Sequence, residues 1–265
     1  MMSSNKNEGR GGRKRRHQDI VSYFPVKYKP ISRRQWIEED LKEYRQGYVG
    51  KKDDSKANLN VLFYTNQIES RPSGDKIDEI HKLWFGDYNL LERHHGFIQW
   101  LFPIREKGMN FHCQELMKHE TKTILKDKKA RRRLIVSFKL MLDFYGMKLV
   151  DEETGEVEKA PNWEERFAHL NRSTHNHLRI TRILKFLGEF ELEKYQVPWL
   201  EFLLRAAFVD ASLPNIRDSL GTYWIGCVKE NQERQRLMGL YNEYEKKQKP
   251  VYHEVSDSSS EYDTP

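Results

Sequence analysis

The side chains that could bind a metal lie close together in the sequence: His94, His95, His112, Cys113 and His119. Imidazole and thiolate groups are common zinc ligands, but zinc sites usually place them at spacings such as C-x₂₋₄-C or H-x₃₋₅-H, which this set does not follow. Adjacent histidines also point in different directions on a helix. The spacing favours histidines that cap helices or lie at the core edge, and we predict no metal site and no cofactor.

A catalytic pair of carboxylates is the second kind of chemistry to consider, and Asp87 and Glu92 are the candidates. Carboxylates at the start of a helix more often act as caps, because the helix dipole favours a negative charge there. The sequence also contains no GxSxG, no HExxH, no glycine-rich phosphate loop and no kinase motif set. We therefore do not predict an enzyme.

Peptide binding is the third possibility, and it rests on the segment Pro72–Pro103. This segment concentrates six aromatic residues between polar ones: Trp84, Phe85, Tyr88, Phe97, Trp100 and Phe102. Aromatic residues at this density mark either a core or a binding cleft. A short amphipathic peptide needs an aromatic-lined concavity and a carboxylate for its amine, and this segment could supply both. An aromatic core is the alternative that the composition leaves open.

Basic side chains form two groups that could neutralise phosphates. The first comprises Lys126, Lys128, Lys129, Arg131, Arg132 and Arg133, and the second comprises Arg172, Arg179, Arg182 and Lys185. Neither group has neighbouring aromatic residues on which bases could stack. The groups predict either weak contact with nucleic acid, as in a nuclear adaptor protein, or ordinary solvated helix faces.

The composition of the 265 residues limits where the protein could work. No stretch approaches the eighteen or so apolar residues that a membrane-spanning helix needs, and residues 1–16 contain no signal-peptide core. The two cysteines are far apart, which is typical of a reducing compartment. We therefore expect a soluble intracellular protein.

The formal net charge of +6 is concentrated at the N-terminal end. Residues 1–16 carry six basic side chains against Glu8, whereas residues 250–265 carry four acidic side chains and no lysine or arginine. The cluster Arg13, Lys14, Arg15 and Arg16 is typical of a nuclear localisation signal read by importins. We predict a disordered basic arm over residues 1–30 and a disordered, acidic, serine-rich tail over residues 249–265.

Between these ends, apolar residues recur at helical spacing and no credible period-two alternation appears. The predicted helices span residues 32–48, 58–70, 118–145, 175–190, 198–209 and 215–247. Asp75 is predicted to cap a helix that carries Trp84, and Asp87 to start the next one. Asn162 and Glu165 fit a capping box, and residues 151–161 form a hairpin or an exposed loop. We predict an all-α fold, with a single multi-helix domain over residues 31–248.

Several motifs within this domain resemble the conserved region of the opioid growth factor receptor family. The resemblance begins with NVLFYTNQI at residues 60–68 and is sharpest at HGFIQWLFP, residues 95–103. It continues through REKGMN, MLDFYG, RFAHLN and HNHLRITRILK, at residues 105–110, 141–146, 166–171 and 175–185. The motifs occur in order from about residue 57 to about residue 245, so the resemblance covers most of the chain. This sequence resembles a short member, because the long C-terminal repeat region of larger members is absent from it.

The resemblance implies a receptor that binds the peptide methionine-enkephalin, Tyr-Gly-Gly-Phe-Met, and restrains cell proliferation. It also implies a location in the nucleus and the perinuclear cytoplasm, with peripheral association with the nuclear membrane. Functions that belong to the C-terminal repeat region are not expected. As ligand-binding residues we predict Trp84, Tyr88 and Trp100 as aromatic walls and Asp87 or Glu92 as the partner of the peptide amine. His95 completes the predicted set.

Overall fold

The computed structural model describes residues 32–248. The predicted basic arm, with its import signal at Arg13–Arg16, and the predicted acidic tail lie outside the described residues. Within the described range the regular secondary structure is helical apart from one small hairpin, which confirms the all-α fold class. No helix in residues 32–248 combines the length and the apolar character that crossing a bilayer requires.

The helices and strands follow the chain in a simple order. The first half contains α1 (Arg33–Arg45), α2 (Leu59–Tyr64), α3 (Ile77–Leu83), α4 (Tyr88–Arg93), α5 (Ile98–Leu101), α6 (Lys118–Lys126) and α7 (Lys128–Phe144). The second half contains β1 (Met147–Leu149), β2 (Val157–Lys159), α8 (Trp163–Arg172), α9 (His175–Glu189), α10 (Glu193–Phe208), α11 (Arg217–Ser219) and α12 (Asn231–Gln248).

The helices α7, α9 and α10 build the centre of the core. On α9, Ile180, Ile183, Leu184 and Leu187 are fully buried. Phe138 of α7 stacks on Tyr195 of α10, with ring centroids 5.7 Å apart, and meets Trp199 edge-on at 5.2 Å. Aromatic pairs in these geometries contribute about 0.5–1.5 kcal/mol each beyond their buried area. The helix α10 also packs against α12 and β2, so the end of the domain closes over the same core.

The predicted hairpin is confirmed between α7 and α8. Strands β1 and β2 pair antiparallel, with Met147 opposite Lys159 and Leu149 opposite Val157. Met147 is fully buried, and its sulfur accepts a hydrogen bond from Trp199 Nε1 at 3.3 Å. Gly155, in the connecting turn, lies at a φ of +79°, and a Cβ there would lie 2.3 Å from the carbonyl oxygen of Lys194. This glycine therefore allows the turn to approach α10 closely.

Several predicted helix boundaries are wrong because polar side chains end or start helices that the apolar spacing runs together. The run 118–145 divides at Asp127, whose carboxylate accepts a hydrogen bond from the N–H of Ala130 at 2.8 Å and so starts α7. The run 58–70 ends at Tyr64, because Asn66 adopts a φ of +65° and its side-chain oxygen accepts from the N–H of Asp78 at 3.1 Å.

Two predicted caps also serve other purposes. Asp75 does not cap α3, because its carboxylate accepts a hydrogen bond from Trp84 Nε1. At the start of this helix the carboxylate of Glu79 accepts a hydrogen bond from the backbone N–H of Lys76. Asn162 precedes α8 without a capping hydrogen bond. Its amide donates to Tyr88 Oη at 2.5 Å and to the carbonyl of Asp143 at 3.2 Å.

The last two predicted helices differ most from the structure. The run 198–209 begins five residues earlier, at Glu193, so that Pro198 lies inside α10. The run 215–247 breaks into a 3₁₀ turn (Pro214–Ile216), α11, a π-helical turn (Leu220–Trp224) and a second 3₁₀ turn (Ile225–Cys227) before α12. A π-helical turn is rare and often occurs at a functional site.

A buried ammonium group fixes α1 to this core. Lys185 of α9 is 3% exposed, and its Nζ donates to Asp40 Oδ2 at 2.7 Å and to Glu106 Oε1 at 2.6 Å. The hydroxyls of Tyr48 and Tyr44 complete the group, donating to Glu106 at 2.6 Å and to the carbonyl of Lys185 at 3.2 Å. Burial disfavours the ammonium, but Glu106 and Asp40 outweigh this effect and raise the pKa of Lys185.

We predict that Lys185→Met lowers the free energy of unfolding by roughly 3–5 kcal/mol, because it leaves two half-buried carboxylates without their cation. Urea unfolding followed by circular dichroism would measure the change. The matched control is Lys247→Met, which removes an exposed i,i+4 pair with Glu243 and should cost about 0.5 kcal/mol or less. Equal effects of the two substitutions would contradict the role assigned to Lys185.

Candidate functional site

The two tryptophans predicted as cleft walls lie in the core. Trp84 is 4% exposed and Trp100 is 2% exposed. The indole N–H of Trp84 donates to Asp75 at 2.8 Å, and that of Trp100 donates to the carbonyl of Arg71 at 3.0 Å. Because both rings are enclosed and both N–H groups have partners, these tryptophans do not line an open cleft. The alternative of an aromatic core fits this pair.

The predicted polar residues Asp87 and Tyr88 lie nearer the surface. Asp87 is exposed, and its carboxylate caps α4 by accepting the N–H of Leu90 at 2.9 Å. Tyr88 is half-buried, and its hydroxyl donates to Asp143 at 3.0 Å. Burial raises the pKa of both Tyr88 and Asp143. Asp87 therefore acts as a helix cap, whereas Tyr88 joins α4 to the end of α7.

Glu92 is the centre of a polar cluster where α4 meets α8 and α9. Its Oε1 lies 3.0 Å from His175 Nε2 and 3.4 Å from His169 Nε2, and its Oε2 accepts from the Asn176 amide at 3.2 Å. Arg179 Nη1 lies 3.9 Å from the same carboxylate. Burial alone would raise the pKa of Glu92, but the hydrogen bond from Asn176 and the neighbouring basic groups lower it. Glu92 is therefore an ionised carboxylate with most of its acceptor sites occupied.

Two buried guanidinium groups set the tautomers of the histidines in this cluster. Arg166 donates to His169 Nδ1 at 3.2 Å, and Arg179 donates to His95 Nδ1 at 3.0 Å. Because these Nδ1 atoms accept hydrogen bonds, the neutral rings carry their proton on Nε2. The protonated Nε2 of His169 then faces the Ser173 hydroxyl at 3.2 Å and Glu92 at 3.4 Å, which leaves this nitrogen without a lone pair for a metal. In residues 32–248, no group of three or more His, Cys, Asp or Glu side chains has the arrangement of a metal site.

The other residues considered as metal ligands separate in the fold. The ring of His94 packs on Trp84, and its Nε2 lies 3.3 Å from the carbonyl of Ser73. His119 Nε2 lies 2.8 Å from the carbonyl of Ala57. Burial raises the pKa of the Cys113 thiol to about 12. These contacts match helix-edge histidines, as the spacing favours.

The second predicted basic group is largely unavailable to phosphates. Arg179 is 6% exposed and donates to the carbonyl of Leu91 at 2.9 Å. Arg182 donates to the carbonyl of Phe102 at 2.7 Å, and burial lowers its pKa to about 10. Lys185 is the buried ammonium described above. The prediction of a basic surface on α9 is therefore wrong, because these cations satisfy interior carbonyls and carboxylates.

A large groove lies between α1, the π-helical turn and α12. Its volume is about 930 Å³, within the range of small-ligand sites. Its floor is apolar, formed by Ile37, Leu41, Met238 and Tyr241. Tyr241 packs directly on Gly221 of the π-helical turn, where a Cβ would lie 2.5 Å from Tyr241 Cζ. The glycine thus allows the ring to lie against this turn.

Charged side chains surround this apolar floor. Asp218 accepts a hydrogen bond from the hydroxyl of Thr222 at 3.2 Å, and Glu245 accepts one from Tyr241 at 3.3 Å. Burial and the Glu245 carboxylate raise the pKa of Tyr241 to about 12. Arg33 and Arg34 line the groove as well and are exposed. The groove thus combines three features. It has an apolar floor, exposed guanidinium groups, and two carboxylates that accept hydrogen bonds from neutral hydroxyls.

Sequence reasoning misses this groove entirely. Its walls come from both ends of the described chain, and helical spacing alone treats Ile37, Leu41 and Met238 as core positions. The local signals are Gly221 and Gly226, two groove-lining glycines inside a predicted helix, because such glycines can mark a close approach of two elements. The partners of Glu92 on α8 and α9 are missed for the same reason, because they are distant in sequence.

The comparisons with known proteins agree with the sequence motifs. Residues 53–257 match the model of the opioid growth factor receptor conserved region. The chain belongs to the opioid growth factor receptor family. No solved structure matches it.

Relatives within this family are similar over about three quarters of the chain. Opioid growth factor receptor-like protein 1 of Mus musculus is 45% identical over 201 residues, 75% of this chain and 43% of that protein. The opioid growth factor receptors of Mus musculus and Homo sapiens are 42% and 40% identical, and the chain matches 32% and 30% of their lengths. The chain thus spans less than half of each of these relatives, which are named as receptors or receptor-like proteins.

The histidines around Glu92 generate a prediction about pH. Burial, followed by the charges of Arg166 and Arg179, lowers the pKa of His169 and His95 below the ordinary value of about 6.5. Below that value the unfolded chain binds more protons than the folded one, so stability should fall as the pH drops from 7.5 to 5.5. We predict that His169→Gln, which keeps a donor for Glu92 but cannot titrate, loses less stability over this range. Urea unfolding at each pH measures the free energy of unfolding. If that free energy depends on pH in the same way in the variant and in the unmodified chain, the role assigned to His169 is contradicted.

Proposed function

We propose that this chain is the peptide-binding domain of a receptor of the opioid growth factor receptor type. In this proposal it binds methionine-enkephalin, Tyr-Gly-Gly-Phe-Met, without catalysis, and restrains cell proliferation through that binding. The single observation that supports the binding step most directly is the groove between α1, the π-helical turn and α12. The family of the chain supports a receptor role, and the names of its relatives supply the class of ligand.

The chemistry of the groove matches each part of such a peptide. A peptide of this kind has an N-terminal ammonium, two aromatic rings, a methionine and a C-terminal carboxylate. We assign the ammonium to Asp218 and Glu245, because within residues 32–248 their only side-chain donors are neutral hydroxyls. The apolar side chains pack on Ile37, Leu41 and Met238, and the carboxylate pairs with Arg33 or Arg34.

The exposed face of α4 is the alternative location for the peptide. Asp87, Tyr88, Glu92 and His95 stay candidates there, whereas Trp84 and Trp100 are buried. Glu92 would have to exchange a histidine or Asn176 for the peptide amine, which costs it existing hydrogen bonds. Asp87 would have to give up the cap of α4. The groove requires neither exchange, so we favour it.

We predict that the unmodified chain binds methionine-enkephalin saturably, and that Asp218→Asn combined with Glu245→Gln weakens binding at least tenfold. Loss of a charged hydrogen bond costs about 1.5–3 kcal/mol, and 1.4 kcal/mol corresponds to a factor of ten. Isothermal titration calorimetry measures both affinities. The matched control is Glu243→Gln, an exposed carboxylate of α12 outside the groove that pairs with Lys247.

Two further arms separate the possible outcomes. A peptide of scrambled sequence should not bind, and equal binding of both peptides, or no saturable binding at all, would refute the proposed function. The double substitution Asp87→Asn and Glu92→Gln should leave the affinity unchanged. If only that second pair weakens binding, the peptide function stands and its site moves to α4.

We also propose that importins read Arg13–Arg16 and carry the protein to the nucleus and the perinuclear cytoplasm. Peripheral association with the nuclear membrane belongs to the same proposal. The four clustered cations support this proposal, because short basic segments are typical of nuclear localisation signals.

We predict that replacing Arg13, Lys14, Arg15 and Arg16 with alanine leaves a fluorescently tagged protein in the cytoplasm. Microscopy of living cells measures the ratio of nuclear to cytoplasmic signal. The control replaces Arg33 and Arg34, a basic pair of the described domain, and should not change that ratio. A nuclear signal that persists in the first variant would exclude this import route.

A further inference from the structure

A second concave surface of the domain is strongly basic. It is a cavity of about 590 Å³ between α3 and the start of α7, and we call it the α7 basic cavity. Its lining includes two arginines and three lysines together with a few other residues: Asp78, His81, Lys82, Lys128, Lys129, Arg132, Arg133 and Val136. It shares no lining residue with the groove beside α12.

The two arginines of this cavity are already used within the fold. Arg133 makes two hydrogen bonds to the Asp78 carboxylate, both 2.6 Å, and it donates to the carbonyl of Tyr64 at 3.0 Å. Arg132 donates to both oxygens of Glu152, at 2.8 and 2.7 Å. These pairs hold α7 against α3 and against the hairpin, and they neutralise the local carboxylates.

The lysines of the cavity differ from its arginines, because their ammonium groups have no acidic partner within residues 32–248. Lys82, Lys128 and Lys129 are exposed and form no ion pair with any residue in the range 32–248. Lys126 and Arg131, on either side of the start of α7, are also exposed and equally unpaired within that range. Asp127, the acidic residue between them, already caps α7. Three lysines without an ion-pair partner in this range therefore line the cavity, and Lys126 and Arg131 add two more unpaired cations near the start of α7.

Helix geometry places the basic side chains of the first turns of α7 beside one another. Residues three and four apart are neighbours on a helix surface, so Lys128 lies beside Arg131 and Arg132, and Lys129 lies beside Arg132. Like charges in such positions destabilise a helix unless another charge compensates them. This arrangement costs stability in the free protein and fits a surface that a polyanion covers.

We infer that the α7 basic cavity binds the phosphate backbone of a nucleic-acid duplex. The volume of the cavity exceeds that of one phosphate, and unpaired basic side chains extend beyond the cavity. A ligand with several phosphates therefore fits the charge distribution. No phenylalanine, tyrosine or tryptophan lines the cavity, which offers no platform for unstacked bases of a single strand. Binding by phosphate contacts alone is independent of sequence and weak, about 10⁻⁴–10⁻⁶ M at physiological salt.

The test is fluorescence anisotropy of the full chain with labelled duplexes of DNA and of RNA, measured over a range of salt concentrations. The logarithm of the binding constant should fall linearly with the logarithm of salt concentration, by about 0.9 for each neutralised phosphate of a DNA duplex. Replacing Lys128 and Lys129 with alanine should reduce that slope by about 2. Both positions are exposed, so circular dichroism should show an unchanged fold.

The matched control removes the same charge from another surface, by replacing the exposed Lys42 of α1 and Lys246 of α12 with alanine. Its slope should equal that of the unmodified chain. Equal slopes for the two double variants would overturn the inference, as would a single strand that binds as tightly as the duplexes. Binding confined to vesicles that contain phosphatidylserine would overturn it too, because the cavity would then be a membrane surface. Preference for DNA or RNA would identify the source of the phosphates.

Discussion

The buried ammonium of Lys185 is the constraint on which the position of α1 depends. A charge in the core is unfavourable unless it is paired and hydrogen-bonded, and Asp40 of α1 and Glu106 of the loop between α5 and α6 meet this condition. Because Asp40 can reach Lys185 only when α1 lies against α9, the pair selects one docking position for the first helix. That helix forms one wall of the groove beside α12, so the shape of the candidate peptide site depends on this ion pair.

Arginine plays a similar internal role throughout the domain. Arg105, Arg166 and Arg179 are each less than 10% exposed, and they bind carboxylates or donate to backbone carbonyls near the ends of helices. Short helices leave many carbonyl groups without partners, and a guanidinium can satisfy several of them from one side chain. This use of arginine explains why a chain with many basic residues offers few basic surfaces. The α7 basic cavity stands out because its lysines are not used in this way.

The two concave surfaces of the domain differ in how they are built and in what they fit. The groove beside α12 combines an apolar floor with both signs of charge, and it depends on a π-helical turn at which Gly221 admits the ring of Tyr241. Such a surface suits a short amphipathic peptide. The α7 basic cavity has charges of mainly one sign and no aromatic lining, which suits a polyanion. The two surfaces share no lining residue, so occupation of one leaves the lining of the other free.

The sequence by itself determines the all-α fold, most helix positions and the family, because apolar spacing and ordered motifs are local properties of the chain. Local polar signals also predict the Asp87 cap and the hairpin after Gly146. Only the tertiary structure decides that Trp84 and Trp100 are core residues, that Glu92 gathers His169 and His175, and that Arg179 faces inward. These outcomes depend on which distant elements meet, and the burial of a side chain is a property of its neighbours in space. The same reason explains why a groove formed by α1 and α12, near opposite ends of the chain, leaves almost no signal in the sequence.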